Sequence, residues 1–270
     1  MSLLLSEIFI YPIKSLGGIS LSEAVVEQRG LQFDRRMMLV DENRMFITQR
    51  DYPEMALLKT EIKNDELLVY HSVNKHLIKI PIKEIDYSNK NRISVVIWDD
   101  ECTAVIVSEE ANKFFSDMLK INCKLVYMTD DEKRIVDPNK KYVTDEHIVS
   151  FADGYPFLII GQSSLDELNK KLEAPLPMNR FRTNFVFTGG KPFEEDNWKD
   201  FLIGQIKFKA VKPCARCVIT TTDQQTSERK DEPLKTLSTF RKFGSKVLFG
   251  MNLIAYETGK VKIGDSITLL

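Results

Sequence analysis

A mainly β protein with flanking helices is the fold class predicted, and three observations predict it. Up to about residue 105, short runs rich in Val, Ile, Leu, Phe and Tyr alternate with Gly, Pro, Asn and Asp, the pattern of an all-β barrel or sandwich. Helical apolar spacing is clear at few places, first at Ser108–Leu119. The chain then returns to short strands and closes on Phe249–Ala255 and Lys260–Leu270. With 270 residues, 43% hydrophobic and 29% charged, it has core enough for one large or two modest domains. The expected division is a β-barrel-like part over residues 1–105 and a second β-barrel with flanking helices over 106–270.

The elements follow in order. Leu4–Tyr11 is a strand closed by Pro12, and Lys14-Ser15-Leu16-Gly17-Gly18 is a turn with free backbone amides. Ile19–Gln28 alternates as a second strand that Gly30 breaks. Asp34-Arg35-Arg36 opens the buried run Met37–Val40, and Asp41–Arg44 turns the chain back through Met45–Thr48. Asn64-Asp65 joins Leu57–Ile62 to Glu66–Ser72 as a hairpin. Leu77–Ile82, Ile93–Trp98 and Cys102–Val107 continue the strands. Ser108 caps a helix with Glu109 and Glu110 in its first turn. Cys123–Met128 is a strand, and residues 129–147, polar and holding Pro138, are a loop. Pro156–Ile160 is buried, and Ser163 or Ser164 caps a helix that Pro175–Pro177 ends. Phe185–Thr188 and Ile206–Val211 are strands, Pro233–Phe243 is a short helix, and the last two strands form a hairpin around Thr258-Gly259.

Charge and cysteine usage exclude several classes. A net charge of −1 argues against a general binder of nucleic acid or anionic membrane. Four cysteines, two of them isolated, are no secreted disulfide framework. Leu3-Leu4-Leu5 lacks a basic flank and is interrupted by Glu7, so neither a signal peptide nor a membrane span is expected, and the default location is cytoplasmic.

The chemistry concentrates in Lys212–Asp223, where Cys214-Ala-Arg-Cys217 precedes Val218-Ile-Thr-Thr-Thr. A fixed cation beside a thiolate makes it a nucleophile or a soft-metal ligand. A thioredoxin-type pair needs a helix N-terminus, whereas the β-branched run after Cys217 favours a strand. A zinc knuckle needs further ligands, and Cys102, Cys123 and the three histidines are not at ligand spacing. Two half-buried thiols filling a strand compete evenly with these readings. Lys14-Ser15 could offer an ammonium and amides to an anion, against the plainer reading of an exposed turn lysine. Arg180 and Arg182 flank Phe181, and alternation would put both on one face with Asn184 two residues on, an oxyanion or phosphate site if the segment is extended.

Taken in order, Tyr11-Pro-Ile-Lys14-Ser15, Gly30-Leu31, Asp34-Arg35-Arg36, Asn179–Asn184, Cys214–Asp223 and Phe249-Gly250 with Lys262–Asp265 resemble the MOSC superfamily, with its N-terminal β-barrel domain before the MOSC domain. The nearest resemblance is to the amidoxime-reducing components and bacterial reductases of N-hydroxylated compounds. It implies a molybdenum-cofactor (Mo-molybdopterin) oxidoreductase in which Cys217 is the metal ligand and catalytic sulfur. It further implies that Lys14, Ser15, Arg35, Asp153, Gly154, Tyr155, Arg182, Asn184, Arg216 and Asn252 hold the cofactor. The chemistry is consistent: molybdenum on a dithiolene accepts one more soft sulfur, and a pterin phosphate wants arginines and amides. No cysteine cluster follows the closing strands, so electrons are expected from a separate ferredoxin-, flavodoxin- or cytochrome b5-like donor. Ala215 stands where the family has a serine. The alternative is a sulfur or cofactor carrier that uses a cysteine persulfide, and a third reading is a dithiol–disulfide redox protein.

Overall fold

A computed structural model describes residues 2–82, 92–137, 141–143 and 146–270. Among them lies a nine-stranded sheet that draws on both ends of the chain. Leu4–Ile10 pairs with Ile19–Leu21 on one side and antiparallel with Phe185–Thr188 on the other. Phe185–Thr188 runs parallel to Phe157–Gly161, and the sheet continues through Lys246–Ala255, Ile206–Ala215, Asp200–Ile203 and Ile267–Leu269. Its inner face is aromatic. Phe157 stacks on Phe185 at 5.8 Å, and Phe208 meets both edge-on at 5.4 and 5.6 Å. Such pairs add to the area they bury because ring edges and faces carry opposite partial charge.

The early residues build smaller sheets beside it. Met37–Val40, buried throughout, pairs with Lys124–Tyr127, which pairs with Asp100–Ile106 and then Arg92–Ile97. Leu58–Lys63, Glu66–His71 and Leu77–Pro81 form a meander whose first turn places Asn64 and Asp65 at φ 51° and 62°, the left-handed pair that a two-residue hairpin demands. The helix Glu109–Leu119 seats Phe115 and Leu119 among Met37, Leu58, Leu67 and Val69. The Ser108 hydroxyl accepts the Ala111 amide at 3.0 Å, as a helix cap should.

Three expectations are corrected. Phe249–Ala255 does not pair with Lys260–Leu270: the latter is two strands, of which Gly259–Lys262 joins Glu23–Glu27 and Ile267–Leu269 joins Asp200–Ile203. Val261 and Ile267 bury in the core that holds Val26 and Phe201, so tertiary packing rather than the nearby turn chose their partners. The expected strand Ile19–Gln28 is two strands in different sheets, Ile19–Leu21 on Leu4–Ile10 and Glu23–Glu27 on Gly259–Lys262, and Gly30–Leu31 folds back onto Val26 and Glu27. Neither Ser163 nor Ser164 caps the second helix, Gln162–Asn169, whose N-cap is Gly161. Ser164 instead donates to the buried Glu195 carboxylate at 2.9 Å and accepts the Phe193 amide at 2.7 Å. Asp200–Ile203, unanticipated, is a strand. Pro138, placed in the polar loop, lies outside the described residues.

Candidate functional site: a cationic cleft at Cys217

The cleft opens where the large sheet meets the smaller ones. The turn after Leu4–Ile10 is stitched across that seam: the Lys14 amide donates to Met37 O at 2.8 Å and the Gly17 amide to Leu58 O at 2.9 Å. Lys14 is thereby buried, with its ammonium donating to Phe151 O at 2.9 Å and to the Asp153 carboxylate at 2.5 Å. Burial brings the Lys14 pKa down to about 8, because the desolvation of a cation outweighs the attraction of Asp153. The Asp153 side chain is 61% exposed at the mouth. Desolvation by the walls opposes its ionisation, yet the Lys14 charge holds the carboxyl well below its usual range.

Tyr11 organises two of the arginines. Its buried ring carries the guanidinium groups of Arg35 and Arg182, at 4.2 and 4.3 Å from the centroid. Arg35 donates to Asp34 at 2.6 Å and to Arg182 O at 2.9 Å, and Arg182 donates to Leu16 O at 2.7 Å. Burial lowers Arg182 to about 10, which leaves it charged at neutral pH. The expected extended segment is absent here. Met178–Phe181 is a 3-10 turn and Arg182 takes a left-handed φ of 52°, so Arg180 and Arg182 diverge. Arg182 turns to Tyr11, while Arg180 donates to Thr220 O and Thr221 O, each at 3.0 Å, and to Asp223 at 3.0 Å.

Those bonds also explain the cysteine loop. Val218–Thr221 is a 3-10 turn, not the strand its β-branched residues favour. Arg180 captures two of its carbonyls, and the Thr220 and Thr221 hydroxyls donate back to Cys217 O and Val218 O at 3.0 and 2.8 Å. Buried side-chain bonds to main chain thus override propensity. The two sulfurs separate accordingly. Cys214, still in the strand Ile206–Ala215, packs against the Leu158, Ile160 and Phe249 cluster, and burial pushes its thiol pKa up. Cys217 lies past the strand end and is exposed to the cleft. Between them Arg216 turns back to Phe249 O at 2.8 Å and Phe181 O at 3.0 Å.

The cleft, open at its mouth, has a cavity volume of about 130 Å³, and every candidate residue singled out from the sequence lines it. They do not present equal chemistry. The side chain of Asn184 is spent on main chain, accepting the Leu158 amide and donating to Phe9 O, and Asn252 donates to Lys212 O. Arg182 and Arg216 differ, since each keeps a buried guanidinium nitrogen with no partner. Sequence reasoning missed Arg50, which lines the same cleft, places Nη1 3.8 Å from Cys217 Sγ and also keeps a buried nitrogen unpaired. The available signal was positional: Arg50 follows the apolar return Met45–Thr48 as Lys14 follows the first strand. Among the described residues no three His, Cys, Asp or Glu side chains gather as a metal site, and no helix is long and apolar enough to cross a membrane.

Comparison with known proteins fixes the class first. Residues 2–122 match the MOSC N-terminal beta barrel domain and residues 146–268 match the MOSC domain. Mitochondrial amidoxime-reducing component 1 of Mus musculus is 30% identical, over 98% of this chain and 82% of its own length. Mitochondrial amidoxime reducing component 2 of Rattus norvegicus is 31% identical, over 97% and 82%. Molybdenum cofactor sulfurase of Arabidopsis thaliana is 32% identical over 94% of this chain, which spans 33% of that longer protein. The chain belongs to the MOSC family of the amidoxime-reducing components.

Proposed function

We propose that this chain is a molybdenum-cofactor oxidoreductase that reduces N-hydroxylated compounds with electrons from a separate redox protein. The observation that carries the reading is the pairing of an exposed sulfur, Cys217, with cleft arginines whose buried donors have no partner. A buried guanidinium nitrogen left unpaired costs roughly 1–3 kcal/mol or more, so Arg182 and Arg216 await an anion. The donor set fits the cofactor. Cys217 is a single soft ligand for a metal that brings its own dithiolene sulfurs. Arg35, Arg182 and Arg216 would take the phosphate and ring, with Lys14, Ser15, Asp153, Gly154, Tyr155 and Asn252 closing the walls.

When bound, the cofactor supplies a metal centre that exchanges two electrons and accepts oxygen. The chain does the rest. Arg180 holds the Cys217 turn, Lys14 fixes Asp153 at the mouth, and Tyr11 gathers two arginines on its ring. In the overall reaction the N–O bond breaks and the oxygen leaves as water. Two electrons come from a ferredoxin-, flavodoxin- or cytochrome b5-like donor.

The test is molybdenum and pterin content after expression with ample molybdate, in the wild type and in Cys217→Ala and Cys214→Ala. The expected result is stoichiometric metal in the wild type and in Cys214→Ala. Cys217→Ala should lose more than the roughly 10- to 100-fold in affinity typical of removing an outer-shell partner. Equal metal in the wild type and Cys217→Ala overturns the ligand assignment. The likeness to the cofactor sulfurase and the exposed thiol favour one second reading, a sulfur carrier. It predicts a stable adduct of about 32 Da on Cys217, one sulfur atom, with no pterin bound.

A further inference from the structure

The cleft lining carries six cations (Lys14, Arg35, Arg50, Arg180, Arg182 and Arg216) against one carboxylate, Asp153. They form two groups. Arg35 and Arg182 converge on Tyr11, and Arg216 bonds beside Phe181. At the sulfur end Lys14, 5.6 Å over the Phe46 ring, is joined by Arg50. Its guanidinium lies 4.3 Å over the Trp98 ring and 5.7 Å over Phe46, with one nitrogen 3.8 Å from Cys217 Sγ and the other buried without a partner. Trp98 is no ordinary surface residue. It sits at a left-handed φ of 56°, is 43% exposed, and donates its indole N–H to Asp153 at 3.3 Å. The Arg50 backbone is equally fixed, with its carbonyl accepting from Arg229 at 3.1 Å and its amide donating to the Thr48 hydroxyl at 3.1 Å. A stacked, anchored arginine with a spare donor is prepared for an acceptor that arrives from outside.

We propose that Arg50, braced on Trp98, is the substrate-recognition residue: it donates to the oxygen of a neutral, planar N-hydroxylated amidine beside Cys217 and repels the reduced product. The inference rests on the reductase reading and names the residue that would read the substrate at the same site. Its chemical basis is a change of charge on turnover. An amidoxime is neutral and presents an oxygen acceptor. Cleavage of its N–O bond consumes two electrons from the redox donor and three protons, and yields water and an amidinium cation, since amidines are strong bases. The product has lost the acceptor that Arg50 binds and has gained the charge that Arg50 opposes. One residue thus favours entry of substrate and exit of product.

The protein contains two tryptophans, and Trp198 is 5% exposed, so binding at the mouth reports through Trp98 fluorescence. The cofactor-loaded protein is titrated with benzamidoxime and with benzamidine, in wild type, Arg50→Gln, Arg50→Lys and Trp98→Phe, with molybdenum assayed in each. The wild type should bind benzamidoxime at least about 10-fold more tightly than benzamidine. Arg50→Gln should weaken benzamidoxime roughly 10- to 100-fold, leave benzamidine unchanged or tighter, and keep its molybdenum. Arg50→Lys should still exclude benzamidine while recovering only part of the benzamidoxime affinity. Trp98→Phe should abolish the optical signal, with binding then followed by dialysis. Unchanged affinities in Arg50→Gln overturn the proposal, as does loss of molybdenum from it, which would make Arg50 a cofactor contact. Binding is measured without an electron donor, so the two readings fail separately. Tight, Arg50-dependent binding with no reduction by the wild type sinks the reductase reading alone. Reduction that persists with unaltered binding in Arg50→Gln sinks the Arg50 assignment alone.

Discussion

The helix Glu109–Leu119 and the cleft loops are built on opposite principles. Up to its left-handed C-cap Lys120, the helix meets local rules: a Ser108 cap, acidic residues in its first turn and one face of Phe115 and Leu119 in the core. Around the cleft, non-glycine residues repeatedly take left-handed backbone: Ser15 at φ 68°, Arg35 at 48°, Trp98 at 56° and Arg182 at 52°. Each such residue costs on the order of 1–3 kcal/mol and persists only where neighbours over-determine it. Here side chains hold the main-chain carbonyls of those turns: Arg35 donates to Arg182 O, Arg182 to Leu16 O and Gln49 to Ser15 O. The scaffold is held by pattern, the cleft by a few charged side chains that override pattern.

The largest expected break in that contrast is Arg180→Ala. It strands Thr220 O and Thr221 O and unpairs Asp223, so stability should fall by roughly 2–4 kcal/mol and the Tm by about 5–15 °C. Hydrogen exchange should quicken at 218–223 and stay unchanged in the helix. A Tm within about 2 °C of wild type would show that the cysteine turn holds itself.

Next is the pH dependence of Lys14. Its folded pKa of about 8 lies below the ordinary 10.5, so between those values the unfolded chain binds the extra proton and stability rises with pH. Against Lys14→Met, which cannot titrate, the wild type should gain roughly 1–3 kcal/mol from pH 8 to 10.5 in urea titrations. Over the same interval its affinity for inorganic phosphate should fall as the ammonium discharges. Parallel stability curves for the two proteins would mean that Lys14 is not desolvated.

The same contrast decides what was legible before the structure. Periodicity found most strands, the helix with its cap and the Asn64-Asp65 turn, because each is encoded within a dozen residues. Charges beside turns, together with the family resemblance, picked out residues that line one cleft. What escaped was long-range. The β-branched Val218–Thr221 reads as strand unless Arg180 is known to sit below it. Arg182 reads as extended until Leu16 and Tyr11 claim it. Val261 and Ile267 look like one arm of a closing hairpin although each joins a different distant strand. Arg50 and Trp98 carry no motif, and only the folded chain brings them to Cys217.

Within the scaffold, Ser108→Ala should cost about 1 kcal/mol by orphaning the Ala111 amide, with no change in phosphate binding at the cleft. A linked change in phosphate affinity would mean that helix and cleft are not energetically independent.

The smallest effect is a reversal of sign. At exposed Lys113, mid-helix, glycine should be about 1 kcal/mol worse than alanine, since both lose the Asp117 ion pair and glycine alone adds backbone entropy to the unfolded chain. At Ser15 the order should invert. Both variants lose the hydroxyl, but alanine retains a Cβ at φ 68° and glycine does not. The relief of about 1–2 kcal/mol exceeds the roughly 0.5–1 kcal/mol of added unfolded-state entropy, so Ser15→Gly should be the more stable of the pair by a few tenths to about 1 kcal/mol. Four urea curves decide it. If alanine beats glycine at both positions, the Lys14–Gly17 turn carries no left-handed strain, and the contrast between a relaxed scaffold and a strained cleft fails at its best-buried point.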